Sequence, residues 1–257
     1  MLPHIAVGPW EVSTYSLAYV VAIVVAGLFA QRRVQTMGVS WRLSLELVAV
    51  TIVVAGLGAR LMYLLFRLLP ATTGGHPIST GWGQSVLGAV VGGGIAGLGL
   101  CRWRGVAPWH AADRIIPALP LGLAVGRLGC LGAGCCSGRP TDSWMGFYLP
   151  DQAGLWCSRF PTQVLSSLAN LMIVLTLLGV ERQVTKRAEP DLWSPGAGYL
   201  TALFVVLFSV KRFALEFLRM GQPAVLGVFN WPQMLLGVAA ILAVAVWWLA
   251  LRRRPAH

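Results

Sequence analysis

The sequence predicts an all-α integral membrane protein: seven transmembrane helices with a small cap at the outer face. Three observations lead there. Of 257 residues, 56% are hydrophobic and 11% charged, where a soluble domain carries about 25% charged residues. The apolar residues gather in runs near the ~20 residues that a helix needs to cross a bilayer. The Lys and Arg residues concentrate on alternate connections, as membrane topology requires. One membrane domain, residues 1–257, accounts for the whole length. Residues 1–11 hold no Lys or Arg before the first apolar run, so no cleavable signal peptide is expected.

The spans follow in order. The first, 12–30, ends before Arg32 and Arg33. The second, 45–65, carries Glu46 and Arg60, which lie about 21 Å apart along a helix and so each need a partner from another span. The third, 84–100, holds Gly88-x-x-x-Gly92 and Gly93-x-x-x-Gly97, a small-residue pattern for close helix packing. The fourth, 115–131, contains Pro117, Pro120 and several glycines, which predict a short or kinked helix. The fifth is 164–180. The sixth, 198–217, carries Lys211, Arg212 and Glu216. The seventh, 231–251, runs into Arg252, Arg253 and Arg254.

Twelve of the 20 basic residues fall on the connections after spans one, three and five and on the tail, and four on the opposite side. The positive-inside rule then puts the C-terminus in the cytoplasm and the N-terminus outside. The stretch from Gly126 to Thr141 lies at the outer face. The connection 132–163 behind it contains Trp144, Tyr148 and Trp156, interfacial aromatics that suggest a cap lying on the membrane. A net charge of +11 could point to nucleic acid, but the basic residues are scattered over short loops, so topology explains them and no nucleic-acid partner is expected.

Two constellations carry candidate chemistry. Arg212, Glu216 and Arg219 are spaced i, i+4 and i+7 and share a helix face. A carboxylate between two guanidiniums stays ionised and leaves net positive charge. That suits a phosphate, because arginine presents a planar fork of donors. Arg127 sits in a run of glycines, Gly122, Gly126, Gly129, Gly132, Gly134 and Gly138. Glycines expose peptide N–H groups to an anion, or pack helices closely; packing alone does not call for an arginine. Ionisable groups at membrane depth are costly and usually mark a site or its ion-pair support. The four histidines lie at termini or connections and supply no base inside a span.

These segments resemble the prolipoprotein diacylglyceryl transferase family. The resemblance rests on Gly126-Arg-Leu-Gly129, Gly138-Arg-Pro-Thr141 and Arg212-Phe-x-x-Glu216-Phe-x-Arg219, and extends in order along the chain. Tyr15 is similar to the tyrosine that opens the family's first span, and Gly58-Ala-Arg-Leu-Met-Tyr63 resembles its Gly-Ala-Arg-x-x-Tyr. Asp113, Pro117, Phe160-Pro-Thr-Gln163 and Gln233 fall at matching points. The resemblance implies transfer of a diacylglyceryl group from phosphatidylglycerol to the lipobox cysteine of a prolipoprotein, recognised by its signal peptide, at the bacterial inner membrane. It implies that Arg127 and Arg212 line the phosphatidylglycerol site with Glu216 in support. Gly129, Gly138, Arg139 and Arg219 become further substrate contacts, and Tyr15 and Glu216 become candidates for moving the thiol proton. A monomer without cofactor or metal is expected.

The chain departs from the pattern at several polar positions. Leu87, in Ser85-Val-Leu-Gly-Ala89, stands where the family commonly has histidine. Gly129-Cys-Leu-Gly-Ala-Gly-Cys135 replaces a segment with two asparagines and a glutamate, and Leu165-Ser166 replaces Tyr-Glu. The alternative reading is therefore a non-catalytic paralogue with an anionic-lipid site, or an outer-face thiol or disulfide protein. Cys130, Cys135, Cys136 and Cys157 fall at the outer side, an oxidising one in bacteria, which predicts a bridge from Cys157 to Cys135 or Cys136. A metal site is not expected: Cys-x4-Cys-Cys lacks a second pair, and no histidine is near.

Overall fold

The computed structural model describes residues 4–7, 10–68, 85–151, 154–186 and 198–220, with isolated helical positions between 233 and 245. The described chain is mostly helical, and four of its helical segments are long and apolar enough to cross a membrane: Thr14–Gln35, Trp41–Leu65, Pro108–Gly132 and Thr162–Thr185. The expected seventh span, 231–251, lies largely outside the described residues. The chain divides into two compact units, residues 27–115 and residues 1–26 with 116–257.

The N-terminal strands β1 (His4–Val7) and β2 (Trp10–Ser13) form an antiparallel hairpin that leads into helix α1 (Thr14–Gln35). The expected first span is thus shifted: Val12 lies in a strand, and the helix continues past Ala30 to place Arg32 and Arg33 in its last turn. A helix does not stop where hydrocarbon stops; basic side chains at its end suit both the headgroup region and the helix C-terminus.

The unit 27–115 is built on α2 (Trp41–Leu68) and α3 (Val86–Trp103), with the short α4 (Pro108–Ile115) following. Glycines bring α2 and α3 into backbone contact. A Cβ on Gly92 would lie 2.8 Å from the Val54 carbonyl oxygen and 3.2 Å from the Gly58 Cα, and Gly88 abuts Gly58 just as closely. The small-residue pattern of the third span is therefore a packing seam. Val34, Leu47, Cys101, Val106 and Ala111 close the unit's apolar core. Glu46 of α2 pairs with Arg104 beyond the end of α3 at 2.5 Å.

In the other unit, α5 (Ala118–Gly132) starts after a turn at Ile116 and Pro117. The expected span 115–131 is thus broken at its start, because proline removes a backbone donor and crowds the preceding turn. The N-terminal half of α1 packs on α5 through Ala18, Ala22 and Ala26 against Gly122, Gly126 and Gly129, and through Thr14 against Gly132. A hairpin, β3 (Phe147–Pro150) with β4 (Trp156–Arg159), follows within the cap segment. Tyr148 and Trp156 stack on it with ring centroids 5.6 Å apart, and Trp144 is 90% exposed. These two hairpins are the strands that an all-α reading did not foresee: short connections in which cross-strand bonds satisfy the backbone. The hairpin is pinned by the buried Arg159, whose guanidinium meets the Asp151 carboxylate at 2.8 Å.

Helix α6 (Thr162–Lys186) buries one stripe at helical spacing. At its N-terminal half the stripe is polar: Gln163, Ser166, Ser167 and Asn170. Further on it turns apolar with Ile173, Val174 and Leu177. The apolar part packs on Leu200 and Phe204 of α7 (Tyr199–Glu216). The polar part faces the site.

Candidate active site: an arginine-lined cleft

Arg127 of α5, Thr162 and Ser166 of α6, Arg212 and Leu215 of α7, and Cys136 and Arg219 from the connecting segments line one open cleft. The sequence places them there by simple means. The helix repeat aligns Arg212 with Glu216 one turn on. The Arg212 guanidinium meets the Glu216 carboxylate at 2.5 Å, and Arg219 approaches the same oxygen at 3.9 Å. The Glu216 side chain is 1% exposed, whereas both arginines keep 20% of their surface open. One buried carboxylate thus holds two guanidiniums whose remaining donors are free to face the cleft. With Arg127 lining the same cleft, three arginines and one buried carboxylate leave excess positive charge where solvent or a ligand can reach it.

The segment after α5 is laced to the end of α7. Gly138 pairs with Arg219 in an antiparallel bridge. The Arg139 N–H donates to the Leu218 carbonyl at 2.8 Å, and its Nε donates to the Arg219 carbonyl at 2.9 Å. Gly138 has no room for a side chain, because a Cβ would run into the Phe160 carbonyl. Of the residues expected to contact substrate, Arg127, Arg212 and Arg219 meet at the cleft. Glu216 stands behind two of them. Gly138 and Arg139 brace the strand that carries Arg219 rather than lining the cleft. Gly129 packs against Ala18 on α1. Tyr15, at the start of α1, is 43% exposed and stacks on Tyr19; neither Gly129 nor Tyr15 lines the cleft.

The structure gives contacts to polar residues for which the sequence reading had no role. Thr162 Oγ1 donates to the Cys136 carbonyl and Gln163 Nε2 to the Cys135 carbonyl, both at 2.9 Å. Ser167 Oγ donates to the Ala124 carbonyl at 2.9 Å, tying α6 to α5. Lys211 Nζ donates to the fully buried Asn170 at 2.7 Å and sits 4.2 Å from the Phe208 ring centroid. Lys211 is thus a link between α7 and α6, not a spectator beside Arg212. The signal was present as Thr162, Ser166 and Asn170, a polar run at helical spacing in an apolar segment.

The cysteines differ from expectation. All five are free, and Cys135 and Cys136 gather with Cys130 instead of Cys157, which lies on β4. Hydrogen bonds from Cys130 and Cys135, with Arg219 and Arg127 near, pull the Cys136 thiol far below its ordinary range; the same network pushes Cys135 up.

Together these features define a helical membrane protein with an arginine-lined, positively charged cleft at the ends of its helices. The chain belongs to the prolipoprotein diacylglyceryl transferase family, whose description matches residues 3–249. Similar proteins include the phosphatidylglycerol–prolipoprotein diacylglyceryl transferase of Solidesulfovibrio magneticus, 29% identical over 98% of this chain and 94% of the relative. That of Pseudomonas savastanoi pv. phaseolicola is 29% identical over 100% and 98%, and that of Acidiphilium cryptum 29% over 82% and 77%.

Proposed function

We propose that this chain transfers the diacylglyceryl group of phosphatidylglycerol to the lipobox cysteine of a prolipoprotein. The observation that carries the reading is the convergence of Arg127, Arg212 and Arg219 on one cleft, backed by the buried Glu216. In the reaction the acceptor sulfur attacks the glycerol carbon of the diacylglyceryl moiety. A thioether C–S bond forms, the C–O bond to phosphate breaks, and glycerol phosphate departs. The thiol proton ends on the departing phosphate or in solvent. Charge grows on the phosphate oxygens in the transition state, where guanidinium donors held in place beside a buried carboxylate stabilise it. Arg127 and Arg212 bracket the phosphate, Arg219 adds charge, and Glu216 keeps Arg212 and Arg219 oriented. Gly138 and Arg139 hold Arg219 in place from behind.

The same reading sets the topology: seven spans in one domain in the bacterial inner membrane, N-terminus outside, C-terminus cytoplasmic, active as a monomer. Residues 132–163 form the outer cap, with Trp144, Tyr148 and Trp156 at the headgroup level. A reporter active only in the periplasm, fused after Arg253, should be silent.

Complementation tests the activity. In a bacterium depleted of its resident transferase, this chain should restore growth and thioether-linked diacylglycerol on lipoprotein cysteines. A stably inserted chain that restores neither, yet binds phosphatidylglycerol, would instead be the non-catalytic paralogue suggested by Leu87 and the replaced asparagines.

A further inference from the structure

We propose that Cys130, Cys135 and Cys136 form a binding site for a thiophilic cation of the Zn2+ or Cu+ class, with one coordination position open toward the arginine-lined cleft. The site is built by a helix ending. Gly134 takes φ +68° just past α5, its N–H donates to the Leu131 carbonyl at 3.3 Å, and the Cys135 N–H donates to the Cys130 carbonyl at 3.1 Å. This pair of bonds folds the second residue beyond a helix back over the third from its end, where two apolar side chains commonly meet. Here both are cysteines. Cys136 then adopts φ 58°, a left-handed conformation that few side-chain-bearing residues take. The bonds from Thr162 and Gln163 to the carbonyls of Cys136 and Cys135 hold that conformation.

The result is three sulfurs that all lie within 4.8 Å of one another. Zinc–sulfur bonds of about 2.3 Å in tetrahedral geometry set sulfurs about 3.8 Å apart, so binding asks for a closure of about 1 Å at most, within reach of side-chain rotation. Three protein ligands leave a fourth tetrahedral position, and Cys136, which lines the cleft, directs it there. Sulfur donors favour Zn2+ and Cu+ and disfavour Mg2+ and Ca2+. Three thiolates around a divalent cation keep one negative charge, which Arg127 and Arg219 along the same cleft offset. The spacing Cys-x4-Cys-Cys looks incomplete when ligands are sought as two separated pairs. A single turn supplies all three.

The test uses the reduced full chain in detergent and Cd2+ as the probe. Thiolate-to-metal charge-transfer absorption should rise to saturation at one Cd2+ per chain, persist when Mg2+ is added and be removed by a chelator. Cys130→Ser, Cys135→Ser and Cys136→Ser should each abolish it, while Cys101→Ser and Cys157→Ser should keep it. A second measurement needs no variant: Zn2+ should shield three of the five thiols of the parent chain from alkylation, counted by mass. The proposal is overturned if the reduced chain takes up no Cd2+, if Cys136→Ser retains the full absorption, or if Zn2+ shields none of the three. None of these readouts depends on transferase activity.

Discussion

Between α2 and α3 the backbones touch, because Gly58, Gly88 and Gly92 remove the side chains that would keep them apart. Among α5, α6 and α7 the helices are instead joined by buried polar side chains, Ser167 to the Ala124 carbonyl and Lys211 to Asn170, while Arg212 and Glu216 pair along α7 itself. In hydrocarbon the hydrophobic effect between helices is largely lost, so packing and polar bonds must hold them. The glycine seam maximises packing and leaves no space. The polar bundle gives up packing for directed bonds, and its cleft is the space that remains. A site needs the second arrangement, since only there do charged groups have both a buried partner and an open side. The comparison assigns different costs to mutations in the two regions.

The largest effect is expected at Glu216. Glu216→Ala strands two guanidiniums around a buried void, and removing one partner of a buried ion pair costs about 3–5 kcal/mol. Thermal unfolding in detergent should drop accordingly, and lipidation should be lost with it. In the glycine seam, Gly92→Val should cost about 1–3 kcal/mol, because the added carbons meet the backbone of Val54 and Gly58 rather than a movable side chain. If the account is right, residual folded protein of this variant keeps a normal rate per molecule; a lower rate would blur the division between seam and site.

Lys211→Ala sharpens the contrast within α7. It leaves the Asn170 carbonyl oxygen buried without its donor, at about 1–3 kcal/mol. Adding Asn170→Leu should recover much of that stability, since removing both polar partners costs little. Equal loss in the single and double variants would show that the bond contributes nothing of its own. The smallest effect belongs to Arg104→Ala. Its pair with Glu46 has side chains 42% and 32% exposed, and such pairs are worth at most about 1 kcal/mol. Unfolding should barely move, in contrast with the Arg–Glu pair of the cleft.

What was legible in the sequence was charge out of place. Arg127, Arg212, Glu216 and Arg219 announce themselves because nothing cheap explains ionised groups in apolar segments; the helical spacing holds for Arg212 and Glu216, whereas α7 ends at Glu216 and Arg219 is placed by its bridge to Gly138. The glycine seam was legible for the same reason in reverse, as a repeat of missing side chains. Less legible was the meaning of uncharged polar residues. Ser166, Ser167 and Asn170 look tolerable in any membrane helix, and only the fold shows that they share the buried stripe. Lys211 stood out as a charge in the span, but its partner Asn170 on α6 shows only in the fold. The cysteines were misread because pairing was inferred from compartment, whereas a left-handed turn at Gly134 and Cys136 decides which sulfurs meet. The break at Ile116 and Pro117 was half visible: proline marks a disruption but not which side of it keeps the helix.

The most direct test of the central claim is transfer by the purified chain from labelled phosphatidylglycerol to a synthetic lipobox peptide, with Arg127→Ala and Arg212→Lys at matched protein levels. The parent chain should convert the peptide cysteine to its diacylglyceryl thioether and release glycerol phosphate. Arg127→Ala should be slower by roughly 10²–10³, as expected for loss of one preorganised charge donor. Arg212→Lys should also be severely impaired, because an ammonium cannot reproduce the guanidinium fork that reaches phosphate and Glu216 together. Parent-level transfer by both variants would contradict the assignment of the cleft as the site of reaction.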